Sequence, residues 1–573
     1  MCGIVAVRRL AGTLDVREFV DRMAPTLAHR GPDDEGVFFE GEVALGFKRL
    51  AILDLTDAGR QPMTSADGAA VLVFNGEIFN YVELREELRA RGHRFRSTGD
   101  AEVLLHAYLE WGTECLPRLN GEWAFVVYDR RTASLFGARD RFGIKPLYRL
   151  QVPAAVAWAS EIKALLALPE YRPSIHWRVA GAYLTSARLD HSTETFFEGV
   201  QALPAGSAFA VDREGREREW RYWSLPAPGA APLTDDPAAA FAEVFEDAVR
   251  IRLRSDVPLG VCLSGGLDST AVICAMDRVR RSNGANGQPV TAFTYLVGYE
   301  LMRMIAGCGI RVILNGQGAD ETLAGYDSYF PDAWYADLRR GRAWRAWREI
   351  RKYSATHGGA PLGRLLVVVE RLARAELRRT KWYRTLAHRR QRRRAVRDGW
   401  FRDVALAARD EVPPFEATDL DTVLRRSTTV EPLPLYLRIE DRNSMAHSVE
   451  VRLPMLDYRL VELVFGLANE WKICGPWNKF LLREAMRDRI PEVVRTRVDK
   501  MGFPSPFRQL LDGKSFDAVF ELVTSRRARE RGVYDWERMI RDLEAHRDGT
   551  NAEMASRAFR VAQLELWARL HGL

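Results

Sequence analysis

Cysteine is scarce and scattered in this chain of 573 residues: Cys2, Cys115, Cys262, Cys274, Cys308 and Cys474, with no CxxC pair. That spacing excludes a disulfide framework and a cysteine-ligated zinc site, and it predicts a reducing compartment, the cytoplasm. No run of 18 or more apolar residues occurs, so no transmembrane helix is predicted. No basic segment followed by an apolar one stands at the start, so no secretory signal is predicted. The GxxxxGK[ST] phosphate loop is absent, as are internal repeats. Lysine is rare beside arginine, so the net charge of +7 reflects a GC-rich coding sequence more than a nucleic-acid surface.

What is present is the composition of an ordinary globular protein, 47% apolar and 28% charged. The length exceeds one hydrophobic core and predicts at least two domains. Residues 1–210 read as short buried strands, such as Val71–Phe74, Trp123–Tyr128 and Ala155–Trp158, with helices at Tyr81–Arg91 and Ala101–Gly112. Residues 211–235 hold a linker, marked by Pro226-Ala-Pro-Gly-Ala-Ala-Pro232. Residues 236–573 alternate helices with runs such as Leu259–Leu263 and Arg311–Leu314, the pattern of a parallel α/β sheet, and turn mostly helical after Tyr329. The arginine-rich stretch Arg371–Arg397, with Trp382 and Tyr383, carries charge on every face and reads as a solvated helix.

Met1-Cys2-Gly3-Ile4 opens the chemistry. Cysteine is small enough for the initiator methionine to be trimmed. Cys2 would then carry a thiol and a free amine of ordinary pKa about 7.7–8.0, a nucleophile with its own base. Attack on an amide needs donors for the oxyanion. Asn75 offers a side-chain NH₂ and Gly76 a backbone N–H in Phe74-Asn-Gly-Glu-Ile-Phe-Asn80. An amino-acid substrate needs a cation for its carboxylate, for which Arg49 suits, and anions for its ammonium, for which Glu77 and Asp100 suit. Singly, each of these residues is a turn or a cap; with Cys2 they form a set.

Ser264-Gly265-Gly266-Leu267-Asp268-Ser269 follows an apolar strand and opens a helical segment at Thr270–Val279. Small residues there let N–H groups face an anion. Asn315-Gly-Gln-Gly-Ala-Asp-Glu321 follows the next strand, and Asp268 and Asp320 are suited to share Mg²⁺. Lys500 lies in Lys500-Met-Gly-Phe-Pro504, where it suits charge neutralisation at phosphorus.

The first half resembles the glutamine amidotransferases that begin with cysteine, through Cys2, His29–Asp34, Arg49, Asn75-Gly76, Asp100, Gly143–Tyr148 and Ala159–Lys163. The SGGLDS loop resembles the pyrophosphate loop of ATP pyrophosphatases. Both halves in this order resemble the glutamine-hydrolysing asparagine synthetase family over nearly the whole chain. The resemblance implies an N-terminal-nucleophile α/β/β/α sandwich, then an ATP-pyrophosphatase-type α/β domain. It implies a thioester on Cys2, and glutamine held by Arg49, Ile52, Asn75, Gly76, Glu77 and Asp100. It implies ATP on Leu263 to Ser269, Tyr295, Asn315 and Gly316, and Mg²⁺ on Asp268 and Asp320. The implied reaction activates a carboxylate as an acyl-adenylate and delivers ammonia to it through an internal tunnel. Its partners are small molecules (glutamine, ATP, aspartate or another acid), with no nucleic acid and no membrane; the family also implies a homodimer.

Two departures bear on the substrate. Family members carry several dozen more residues between the SGGLDS and Gly-x-Gly-x-Asp-Glu loops, so a strand-helix unit and part of the acceptor pocket are expected to be missing near Glu300-Leu301. Asparagine synthetases commonly carry Glu where this chain has Gln317, and an amide is no base. Aspartate is the expected acceptor, with another small carboxylic acid as the alternative. A non-catalytic, nucleic-acid-binding role is disfavoured by the joint presence of Cys2, Asn75, Asp268, Asp320 and Lys500.

Overall fold

The computed structural model describes residues 2–13, 15–230, 234–283, 289–290, 295–378, 400–402, 419–498, 513–545 and 552–573. The chain forms two compact units. The first gathers Met1–Tyr171, Gln201–Leu365 and Asp419–Met501; the second gathers Arg172–Val200, Leu366–Thr418 and Gly502–Leu573.

The N-terminal part is built on twelve strands: β1 Gly3–Arg9, β2 Asp34–Glu40, β3 Val43–Arg49, β4 Met63–Thr64, β5 Ala70–Ile78, β6 Gly121–Asp129, β7 Ser134–Arg139, β8 Tyr148–Val152, β9 Ala155–Ala159, β10 Val200–Ala202, β11 Ser207–Val211 and β12 Glu217–Arg221. They make two six-stranded sheets, ordered β10-β8-β9-β1-β3-β2 and β12-β11-β7-β6-β5-β4. All nine residues of β5 are buried, because its two faces serve two cores. Val71 and Val73 point into the layer between the sheets with Ile4, Leu45, Phe47 and Trp158. Leu72 and Phe74 point the other way, into a core with Leu84 and Leu88 of helix Tyr81–Ala90 and Leu104 and Leu105 of helix Asp100–Trp111. That period of two puts Asn75 back toward the inter-sheet side, where β1 begins. Helix Val16–Met23 covers the outer face of the first sheet; a Cβ at Gly46 of β3 would lie 2.6 Å from Val20 Cγ1. The layers are the predicted α/β/β/α sandwich.

The third sheet has four parallel strands: β13 Leu259–Cys262, β14 Pro289–Val290, β15 Val312–Leu314 and β16 Glu450–Arg452, in the order β14-β13-β15-β16. Its core takes Phe241 and Phe245 from helix Pro237–Arg252, Ala271 and Ala275 from helix Leu267–Asn283, and Leu460, Val464, Leu481 and Leu482 from later helices. The helix after β13 starts at Leu267, three residues before the predicted Thr270, so Asp268 and Ser269 belong to its first turn. Helix Tyr295–Gly307 runs unbroken through Glu300-Leu301. The second unit packs Tyr183 and Leu184 of helix Trp177–Ser186 against Trp400, Val523 and Val561. Beyond Arg378, the arginine-rich stretch lies outside the described residues.

Candidate functional site

Cys2 stands one residue before β1, 8% exposed. Its backbone nitrogen donates to Asn75 Oδ1 at 2.8 Å, and its thiol approaches the Leu50 carbonyl at 3.9 Å. Burial pushes the thiol above its ordinary value, so it needs a base. Asn75 is fully buried, and with Oδ1 committed to Cys2, its Nδ2 has no hydrogen-bond partner. A buried amide donor left unsatisfied costs about 1–3 kcal/mol, a penalty that a ligand oxygen would remove. Gly76 adopts φ +139°, and a Cβ there would lie 2.1 Å from the Glu122 carbonyl of β6. Gly76→Ala is therefore expected to destabilise the fold by about 2 kcal/mol or more and to remove glutaminase activity, read by thermal unfolding and glutamate release.

Cys2, Arg49, Ile52, Gly76, Glu77 and Asp100 line one cleft, with Asn75 tied to Cys2. The structure thus brings together the residues expected from the sequence to hold glutamine. Arg49 donates to Thr56 O at 3.0 Å and to Asp54 O, and Gly59 leaves it room, since a Cβ there would lie 2.3 Å from its guanidinium. Asp100 Oδ2 accepts from Ile78 N at 2.8 Å. Burial pushes its carboxyl up to about 6, against that backbone hydrogen bond. Glu77 is pushed well above the usual range by burial, with Glu450 and Asp100 adding repulsion. Burial also opposes ionisation of Glu450, but its cationic neighbours, Arg452 and Lys145 among them, hold it down at about 2.

The phosphate-loop residues lie between β13 and helix Leu267–Asn283. Gly265 takes φ +73°, Gly266 N donates to Ser264 Oγ at 3.3 Å, and the Ser264 and Ser269 hydroxyls bond each other at 3.0 Å. Leu263 leads into this turn and Ser264 is exposed at its tip. Asn315 and Gly316 follow β15 directly, and a Cβ at Gly316 would lie 2.9 Å from Asp268 Cβ, so the two predicted loops face each other. Asn315 Nδ2 donates to Glu440, whose carboxyl burial pushes up to about 7. Tyr295 opens its helix, but its side chain and Lys500 lie outside the described residues.

Sequence reasoning missed Lys479. Only 4% exposed, it donates to Asp268 Oδ2 and lies 2.7 Å from Asp320 Oδ1. Burial alone would lower its pKa, but the two acids outweigh burial and raise it. Among the described residues no cluster of three His, Cys, Asp or Glu side chains forms a metal cage. Asp268 and Asp320 still converge on one cation, and two hard carboxylates fit a Mg²⁺ that takes its other oxygens from phosphates and water.

Arg30, in the His29–Asp34 stretch, has a structural role that its sequence surroundings do not signal. It is fully buried; Nε donates to the Cys2 carbonyl at 3.1 Å, and its two terminal nitrogens donate to Asp441 at 2.8 and 3.0 Å. Leu50 and Ile52, which line the Cys2 cleft, pack with Val312 of β15 and Met445. Arg452 of β16 lies 3.6 Å from Glu77 while its carbonyl accepts from Asn315 N at 3.0 Å. The wall of the Cys2 cleft is therefore continuous with the strand ends that carry the Asn315 loop.

A thiol-based glutamine site joined to a phosphate loop on a parallel sheet defines a glutamine-dependent, ATP-using amidotransferase. Comparison with known families agrees: the one described as glutamine amidotransferase domain matches residues 1–223, and the one described as asparagine synthase matches residues 240–300 and 288–569. The chain belongs to the glutamine-hydrolysing asparagine synthetase family. It is 30% identical over 538 residues to asparagine synthetase [glutamine-hydrolyzing] 3 of Bacillus subtilis, covering 87% of this chain and 86% of the relative. It is 30% identical over 660 residues to a putative asparagine synthetase of Mycobacterium tuberculosis, covering 99% and 97%. It is 27% identical to the amidase chry2 of Gibberella zeae, covering 94% of each. An alignment of 660 residues exceeds this chain's 573, so the mycobacterial relative carries residues absent here. The synthase match breaks into two pieces around residues 288–300, the stretch read as short from the sequence.

Proposed function

We propose that the protein makes L-asparagine, L-glutamate, AMP and pyrophosphate from L-aspartate, L-glutamine and ATP. The observation that carries this reading is the Cys2–Asn75 pair with its unsatisfied Nδ2. With Met1 trimmed, the Cys2 amine, oriented by Asn75 Oδ1, takes the thiol proton. The sulfur attacks the glutamine amide carbon, and Asn75 Nδ2 and the Gly76 N–H receive the developing oxyanion. Arg49 holds the substrate carboxylate, Glu77 and Asp100 its ammonium, and Ile52 its stem. Collapse of the adduct breaks the C–N bond, the amide nitrogen leaves as ammonia with the proton held by the Cys2 amine, and water then releases glutamate from the thioester.

Domains bounded at 1–210, 211–235 and 236–573 divide the work. In the second site, residues Leu263 to Ser269, Tyr295, Asn315 and Gly316 hold ATP. Asp268 and Asp320 would hold Mg²⁺, which supplies charge neutralisation to the triphosphate. Lys500 is assigned the neutralisation of the charge that develops as the acceptor carboxylate displaces pyrophosphate. Ammonia then displaces AMP from the acyl group. No helix among the described residues is long and apolar enough to cross a membrane; a cytoplasmic homodimer is the proposed form.

A second reading, amidation of another small carboxylic acid, is favoured by Gln317, which cannot accept a proton as a carboxylate does. Pyrophosphate release with glutamine, ATP and a panel of acids separates the two. Aspartate is expected to give the largest response; silence with aspartate and turnover with another acid would transfer the assignment.

Glutamine binding should depend on pH through Asp100. Its carboxyl titrates at about 6, so falling pH removes the charge facing the substrate ammonium. KM for glutamine is expected to rise by about tenfold from pH 7 to pH 5, and Asp100→Asn should flatten that rise while raising KM throughout. A KM that stays level across this range in the parent enzyme would remove Asp100 from the ammonium site.

A further inference from the structure

Within the first compact unit, the Cys2 cleft is braced by a carboxylate from the synthetase half. Arg49, the cation for the substrate carboxylate, and the loop into Asp100, an anion for its ammonium, meet at one residue, Asp54. The Asp54 carbonyl accepts from the Arg49 guanidinium. Its carboxylate accepts from Thr98 N at 2.7 Å and from Thr56 N at 3.1 Å. Asp54 is 4% exposed and stands at φ +51°. That left-handed conformation is uncommon outside glycine and persists only where the surroundings fix it.

Asp256 is placed to fix it. Its Oδ2 accepts from Asp54 N at 2.8 Å, and its own N–H donates to the Ile52 carbonyl at 3.0 Å. The two bonds clamp the chain on either side of Leu53, and Ile52 and Leu53 both line the cleft. The next residue, Val257, packs with Leu259 against the cluster that holds Leu50 and Ile52. Asp256 therefore acts from behind the cleft wall. It precedes β13 by three residues, and the far end of that strand opens into the phosphate loop.

We propose that Asp256 is a positioning residue for glutamine: the synthetase half locks Asp54, and through it Arg49 and the Asp100 loop, in the geometry that receives the substrate's carboxylate and ammonium. The inference rests on glutamine being the ligand of the Cys2 cleft. Glutamate release by the full chain over a range of glutamine concentrations, without ATP, tests it. Asp256→Ala is expected to raise KM for glutamine about tenfold while kcat stays within about twofold, because Cys2, Asn75 and Gly76 keep their places and only uniform binding is lost. Asp256→Asn still offers an amide oxygen to Asp54 N and should bring KM back to within about threefold of the parent. Asp256 is exposed, so thermal unfolding of both variants should stay close to the parent's. Should Asp256→Ala fail to fold, Asp256→Glu, which keeps the charge but shifts the oxygens by a methylene, should raise KM several-fold. An unchanged KM in Asp256→Ala, a loss confined to kcat, or no recovery in Asp256→Asn would each overturn the role of Asp256. A parent chain that releases no glutamate would instead overturn the glutamine reading, and this inference with it.

Discussion

Cys2→Ala is expected to lower glutamine-dependent amide synthesis by at least about a thousandfold while ammonia-dependent synthesis stays within about twofold of the parent. The asymmetry follows from where Cys2 sits. Alanine keeps the backbone nitrogen that donates to Asn75 and the carbonyl that accepts from Arg30, so the seam between the halves persists. Only the sulfur is lost, and no other thiol lines the cleft. The synthetase loops, framed by β13, β15 and Lys479, do not use that sulfur. Cys2→Ser should behave similarly, because a buried hydroxyl is far harder to ionise than a thiol. Joint loss of both activities would show that the two halves do not divide the chemistry as proposed.

Lys479→Met is expected to lower ATP-dependent pyrophosphate release by at least about a hundredfold and to leave glutaminase activity within about threefold. Methionine matches the stem and deletes the ammonium, leaving Asp268 and Asp320 without the cation between them. Removing one partner of a buried ion pair costs about 3–5 kcal/mol, so thermal unfolding should also move down. Lys479→Arg should not restore activity. A Cβ on Gly325 would already lie 2.3 Å from Lys479 Cε, so a broader guanidinium has no room. Parent-level pyrophosphate release by Lys479→Met would take this lysine out of the phosphate site.

The legibility of these residues followed their surroundings. Asn75 and Gly76 were readable because an apolar strand ends in a pair whose alternatives, hairpin or cap, do not account for Cys2. Asp268 and Asp320 were readable because glycine-rich turns follow apolar strands. Lys479 offered no such frame: it is a lone lysine in the left-handed region at φ +49°, brought to Asp268 by a contact 211 residues long. Arg30 meets Asp441 across 411 residues, which no local pattern encodes. β16 is hard to read as a strand because charged Glu450 and Arg452 flank its one apolar residue, Val451. In the fold they answer each other at 2.6 Å and are fully buried. The stretch near Glu300-Leu301 was expected to lack a strand-helix unit; helix Tyr295–Gly307 spans it, and the family match breaks in two at residues 288–300.

The most direct test follows the nitrogen. The enzyme turns over glutamine labelled with ¹⁵N at the amide, with ATP and aspartate, in an excess of unlabelled ammonium, and the product amide is weighed by mass spectrometry. Label retained in the asparagine formed, in proportion to glutamate released, is the predicted result. Product carrying the isotopic composition of the bulk ammonium would contradict the account, because nitrogen freed at Cys2 would then never reach the acid activated at the second site.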